Sequence, residues 1–151
     1  MSTQPRPAGP GSRHAPRATA TGAGASAPLA WRVLSALSLL AMGGLHLYLV
    51  LTSTGGVLGV LFLLNAAGGL VLAVAVLTTR GPLLQVSTVL GLLLLAGTLL
   101  ALVLALTVGL FGLRSSLDYD LAPTTLVVES LGTVVLAVTT ALVLRPARRE
   151  P

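Results

Sequence analysis

VLSALSLLAMGGLHLYLVLTSTGGVLGVLFLLNAAGGLVLAVAVLTT, residues 33–79, contains no Asp, Glu, Lys or Arg. A membrane-spanning helix needs about 20 apolar residues, so this stretch is long enough for two. Near its middle, Thr52-Ser53-Thr54-Gly55-Gly56 gathers the turn-forming residues that divide it evenly. Helix 1 is therefore expected over residues 31–51 and helix 2 over residues 57–78. Arg80-Gly81-Pro82 ends the second run, and Pro82 suits the first turn of a third helix. That helix is expected over residues 83–113, longer than a hydrocarbon core of about 30 Å but too short for two spans. It should tilt or project from the membrane. A polar segment, Arg114 to Asp120, separates it from a fourth helix over residues 122–144, with Pro123 in its first turn.

The flanks differ in kind. Residues 1–28 are rich in Pro, Gly, Ala, Ser and Thr and show no apolar period, as in a disordered tail. The apolar run after them is too long for a signal-peptide core and lacks a clear small-residue cleavage site. Residues 146–151 form a short basic tail, leaving residues 29–145 as one membrane domain. The fold class is all-α: a polytopic membrane protein, a four-helix bundle of up-down topology because short connections favour antiparallel neighbours.

Composition agrees. Of the 151 residues, 54% are apolar and 9% are charged, and mean hydropathy is +0.96. A soluble domain carries about 25% charge. With lipid as solvent, the exposed apolar surface is no liability. The absence of cysteine excludes disulfides, thiolate metal sites and a cysteine nucleophile. The net charge of +5 does not point to nucleic acid, because the arginines sit in tails and loops without interleaved aromatics. They set topology instead. Arg6, Arg13, Arg17, Arg32, Arg80, Arg145, Arg148 and Arg149 fall on one side of the membrane and Arg114 on the other. The positive-inside rule then places both termini in the cytoplasm, and the expected location is the plasma (inner) membrane.

Helices in lipid associate by close packing through small residues. Gly97, Ala101, Ala105 and Gly109 recur at steps of four in helix 3. Asn65, Gly69 and Ala73 do so in helix 2, and Thr125, Glu129, Thr133, Ala137 and Ala141 in helix 4. Three strongly polar side chains lie inside the spans: His46, Asn65 and Glu129. With the topology above, all three fall roughly 9 to 13 Å below the outer surface. They form a candidate intramembrane cluster in which Glu129 bonds to His46 or Asn65. A buried carboxyl costs about 2.5 to 3.5 kcal/mol at a helix centre and should find a partner. Such a cluster fixes helix register or relays protons. One intramembrane histidine does not make a bis-histidine haem site, and one His with one carboxylate is a poor metal set, so no cofactor and no metal is expected. No phosphate-binding glycine loop, nucleophile elbow or zinc-protease helix occurs, so no catalytic residue is assigned.

GGLHLYLVLT around His46, LGVLFLLNAAGG around Asn65 and LRSSLDYDLAPTTLVVESLG through Glu129 together resemble a group of small four-helix integral membrane proteins of high-GC bacteria. The resemblance covers about residues 30 to 144 and implies the same architecture without an activity. Two roles follow as expectations. The first is a small membrane subunit or scaffold, whose partners are the lipid bilayer and either further copies of itself or another membrane protein. The second is an oligomeric proton-coupled transporter using Glu129, after the precedent of small four-helix multidrug exporters. Those exporters carry their glutamate on the first helix, whereas Glu129 is on the fourth, and the 3% aromatic content provides no aromatic-rich drug pocket.

The arginine count predicts that a reporter enzyme fused after Pro151 will be active only in its cytoplasmic form; periplasmic activity would invert the topology.

Overall fold

The computed structural model describes residues 27–52, 55–109 and 121–145. It is all-helical over these residues: α1 Leu29–Thr52, α2 Gly56–Thr78, α3 Gly81–Thr107 and α4 Ala122–Leu144. Each helix is long and apolar enough to cross a membrane. At about 1.5 Å per residue they run about 34 to 41 Å. Residues 1–26 of the tail expected at 1–28, the tail at 146–151 and the polar segment around Arg114–Asp120 lie outside the described residues.

Three helices, α1, α2 and α4, have both ends within two residues of expectation. The third helix is corrected: it ends at Thr107, not at residue 113. Gly109 is the reason. Its φ is 89°, a left-handed conformation, and its N–H donates to the Leu104 carbonyl at 2.8 Å, beside the Val108 N–H at 3.1 Å. Both bonds close the last turn on an orphan carbonyl, which is how a glycine just past a helix end stops it. Leu110 to Leu113 look apolar enough to continue the span, but periodicity alone does not register this stop. At the other end of α3, Gly81 precedes Pro82 and adopts φ 57°. The proline ring disfavours a helical residue before it, so the turn falls on the residue best able to go left-handed.

The helices form a closed ring in chain order. α1 packs on α2, α2 on α3, α3 on α4 and α4 back on α1, while α1 and α3 touch lightly across the diagonal. The buried positions explain the geometry. On α4 they are Ala122, Thr125, Glu129, Gly132, Leu136, Thr139 and Val143, with Thr140 beside them. Those seven alternate steps of three and four. Leu84, Thr88, Gly91, Leu95 and Thr98 do the same on α3, and Ser35, Leu39, Met42 and His46 on α1. An average step of 3.5 keeps one seam inward along the whole helix, as in left-handed bundles. A row with a constant step of four drifts by about 40° per step.

That drift corrects the small-residue ladder of α3. Gly97 is exposed and has nothing within 4 Å of the space a side chain would fill, Ala101 and Ala105 are half-buried, and Gly109 is outside the helix. The lower reach of the α4 ladder also turns away, with Ala137 and Ala141 exposed. On α2 the ladder reaches the core at Gly69 and Ala73. A Cβ on Gly69 would stand 2.9 Å from the Leu39 carbonyl oxygen, and one on Gly43 would stand 3.2 Å from that of Ala66. Backbone meets backbone here, as small residues allow in helix pairs within lipid. On α3 and α4 glycine makes room for leucine instead. Gly91 accepts Leu39 and Leu136, and Gly132 accepts Leu95. Leu39, Leu95 and Leu136 are completely buried.

The end where α1 begins is tied by Arg32. Its Nε donates to the Val76 carbonyl at 2.9 Å, and one terminal nitrogen donates to Leu77 and Thr79 at 2.8 and 2.7 Å. The guanidinium thereby satisfies carbonyls that the C-terminus of α2 leaves open, and its charge opposes the negative end of that helix. Charge-assisted bonds of this kind contribute about 1.5 to 3 kcal/mol each when formed in full.

Two substitutions follow. Gly69→Ala should lower the thermal midpoint in detergent while Gly97→Ala leaves it unchanged, because one drives a Cβ into backbone and the other meets open space. Arg32→Ala should destabilise by about 2 kcal/mol, and Arg32→Lys should restore less than half, since an ammonium cannot reproduce the planar fork. Equal midpoints for the two glycine variants, or full rescue by lysine, would contradict the packing described.

Candidate functional site

Roughly two turns from the ends of their helices, one side chain from each element converges on a single level. His46 comes from α1, Phe62 from α2, Thr98 from α3 and Glu129 from α4. His46 Nε2 lies 3.8 Å from Glu129 Oε1. Both are enclosed, with side-chain exposures of 6% and 1%.

Each neighbour has a definite role in the enclosure. His46 Nδ1 is 2.9 Å from the Met42 carbonyl one turn back, which fixes the ring's rotation and aims Nε2 at α4. The Phe62 ring meets the imidazole edge-on, with centroids 4.9 Å apart and planes at 82°. Aromatic pairs favour this arrangement. The Thr98 hydroxyl stands beside the Glu129 carboxyl and is 3.0 Å from the Leu95 carbonyl. Glu129 Oε2 is buried without a hydrogen-bond partner. The gap of 3.8 Å between Nε2 and Oε1 exceeds hydrogen-bond length, so the pair is opposed rather than bonded.

Of the three polar residues singled out in the sequence, the structure brings His46 and Glu129 together and leaves Asn65 apart. Asn65 is half-buried, and its side chain makes no hydrogen bond with a described residue. The helical period explains why. The seam of α2 passes through Gly59, Gly69, Ala73 and Val76, and its alternation of three and four includes Phe62. Asn65 lies one turn from Gly68, whose Cβ position is 3.5 Å from a Leu94 methyl, so it sits on the flank of α2 toward α3. Extending the 3.5-residue period upward from Gly69 would have pointed to Phe62. Nothing in the sequence singles out Thr98 among the threonines.

A second polar contact joins α1 to α4 toward the other end of the bundle. Ser35 Oγ donates to Thr139 Oγ1 at 2.8 Å, and Thr139 Oγ1 in turn lies 2.9 Å from the Val135 carbonyl. Both residues are completely buried. The α1–α4 seam therefore carries polar side chains at two levels, about 15 Å apart along the helices.

Among the described residues no group of three His, Cys, Asp or Glu side chains is placed to hold a metal ion. The chemistry on offer is proton binding and hydrogen bonding. No family model, curated protein or solved structure matches the chain.

Proposed function

We propose that this protein is a small non-enzymatic subunit or scaffold of the bacterial plasma membrane, with both termini in the cytoplasm. The observation that carries this reading is the enclosure of Glu129. Its side chain is 1% exposed, opposed by His46 of α1 and beside Thr98 of α3, so the costliest group in the spans is used to close the bundle on itself. Hydrogen bonds between membrane helices contribute about 0.6 kcal/mol on average and up to about 1.7 kcal/mol, enough to set register without dominating stability. The Ser35–Thr139 bond and the Arg32 clamp support the same role.

A second reading has one observation in its favour. Glu129 Oε2 has no hydrogen-bond partner, and an intramembrane carboxyl with an open oxygen suits a proton-coupled transporter acting as an oligomer.

Purified protein reconstituted into liposomes under a pH gradient separates the two. The scaffold reading predicts background proton flux for the native chain and for Glu129→Gln, with Glu129→Ala lowering the thermal midpoint. Flux above background that disappears in Glu129→Gln would replace it with the transporter.

A further inference from the structure

The placement of His46 determines which of its nitrogens faces Glu129 and with what chemistry. A backbone carbonyl has no proton to give, so the 2.9 Å contact between Nδ1 and Met42 requires the proton on Nδ1. Nε2 is then the nitrogen that gains or loses a proton, and it is the one opposed to Glu129 Oε1 at 3.8 Å.

Among the described residues, the surroundings contain no third charge. α2 presents Phe62, which does not titrate, and α3 presents Thr98. On α4 itself, Thr125 and Thr133 flank Glu129, and the Thr133 hydroxyl donates to the Glu129 main-chain carbonyl at 2.7 Å. On α1, Met42 provides the carbonyl already named. Arg32, on the same helix, is engaged with the end of α2, about 21 Å away along the axis.

Three occupancies of the gap can be compared. With no proton, a carboxylate faces the bare lone pair of Nε2, leaving one uncompensated negative charge beside a repelling acceptor. With two, a neutral acid faces an N–H of an imidazolium, leaving one uncompensated positive charge between two donors. With one, the pair is neutral overall and bonded whichever atom holds the proton. Buried charge is tolerated only when paired, so enclosure selects the third state.

We propose that His46 and Glu129 form a proton-binding site that takes a single proton between Nε2 and Oε1, and that this proton joins α1 to α4. The ligand is the proton itself. Its arrival draws the two atoms from opposition to hydrogen-bond distance, and its loss leaves α1 and α4 repelling each other at this level. This inference rests on the membrane reading of the bundle but not on the choice between scaffold and transporter.

Two spectroscopies on the full chain in lipid nanodiscs at neutral pH count the proton. A His14→Gln background leaves His46 as the only histidine, and nitrogen NMR then reports the protonation of each ring nitrogen. The infrared carbonyl band of a protonated carboxylic acid, assigned by its loss in Glu129→Gln, reports the glutamate. The expected result is Nδ1 protonated with one further proton on the pair: either the acid band with bare Nε2, or no band with protonated Nε2. An ionised carboxyl facing bare Nε2, an acid facing protonated Nε2, or a bare Nδ1 would each overturn the proposal. Glu129→Gln keeps the shape and a donor, so its Nε2 should remain bare and accept from the amide. The membrane reading fails by a different result, a chain that stays monodisperse in buffer without detergent.

Discussion

The bundle depends on a surface that cannot form hydrogen bonds. Leucine and valine dominate the exposed large side chains, from Leu29 and Leu51 on α1 to Leu131 and Val134 on α4. Through the middle of the bundle polar side chains go inward: Ser35, His46, Ser87, Thr88, Thr98, Thr125, Glu129, Thr139 and Thr140 are all buried, while exposed ones such as Gln85, Thr107 and Thr124 lie toward the helix ends. This reverses the order of a water-soluble bundle. It is what lipid imposes, because hydrocarbon leaves any outward polar group unsatisfied. Most of the buried hydroxyls meet the demand locally. Ser87, Thr88, Thr98 and Thr139 each bond a carbonyl three or four residues back on their own helix. Groups that cannot do so must reach another helix.

Glutamate is the strongest such case, and the helices are arranged accordingly. α1 and α4 are distant in sequence, and their contact closes the ring. Ser35 with Thr139 and His46 with Glu129 mark that contact at two levels. Two separated points fix translation and rotation of one helix on another in a way that leucine contacts alone do not. Arg32 adds a third constraint by tying α1 to the end of α2. Close approach then completes the packing, through Gly43 and Gly69 on one side and the leucines admitted by Gly91 and Gly132 on the other.

Much of this was legible in the sequence, and the exceptions have physical causes. Four apolar runs divided by turn formers are a direct readout of bilayer thickness, so the helices emerge with small errors at most ends. Glu129 and His46 stand out because ionisable groups are rare in such runs. The end of α3 was misplaced because one left-handed glycine, Gly109, outweighs the apolar residues after it. The ladder through Gly97 was misread because a constant step of four ignores helical drift, whereas the buried seams follow an average of 3.5. Asn65 was grouped by depth alone, and depth does not specify which way a side chain turns. Arg32 looked like a topology signal; its bonds to α2 depend on where Thr79 ends up, which no local pattern reveals.

The closure of the ring by α1 and α4 is the claim on which the site rests, and the absence of native cysteine makes it directly measurable. Ser35→Cys with Thr139→Cys replaces two hydroxyl oxygens that lie 2.8 Å apart. Mild oxidation in membranes should give a cross-link within one chain in high yield, while a control pair on outward faces, Leu37→Cys with Val134→Cys, gives none. Failure of the first pair to cross-link, or equal yields from both, would contradict the arrangement.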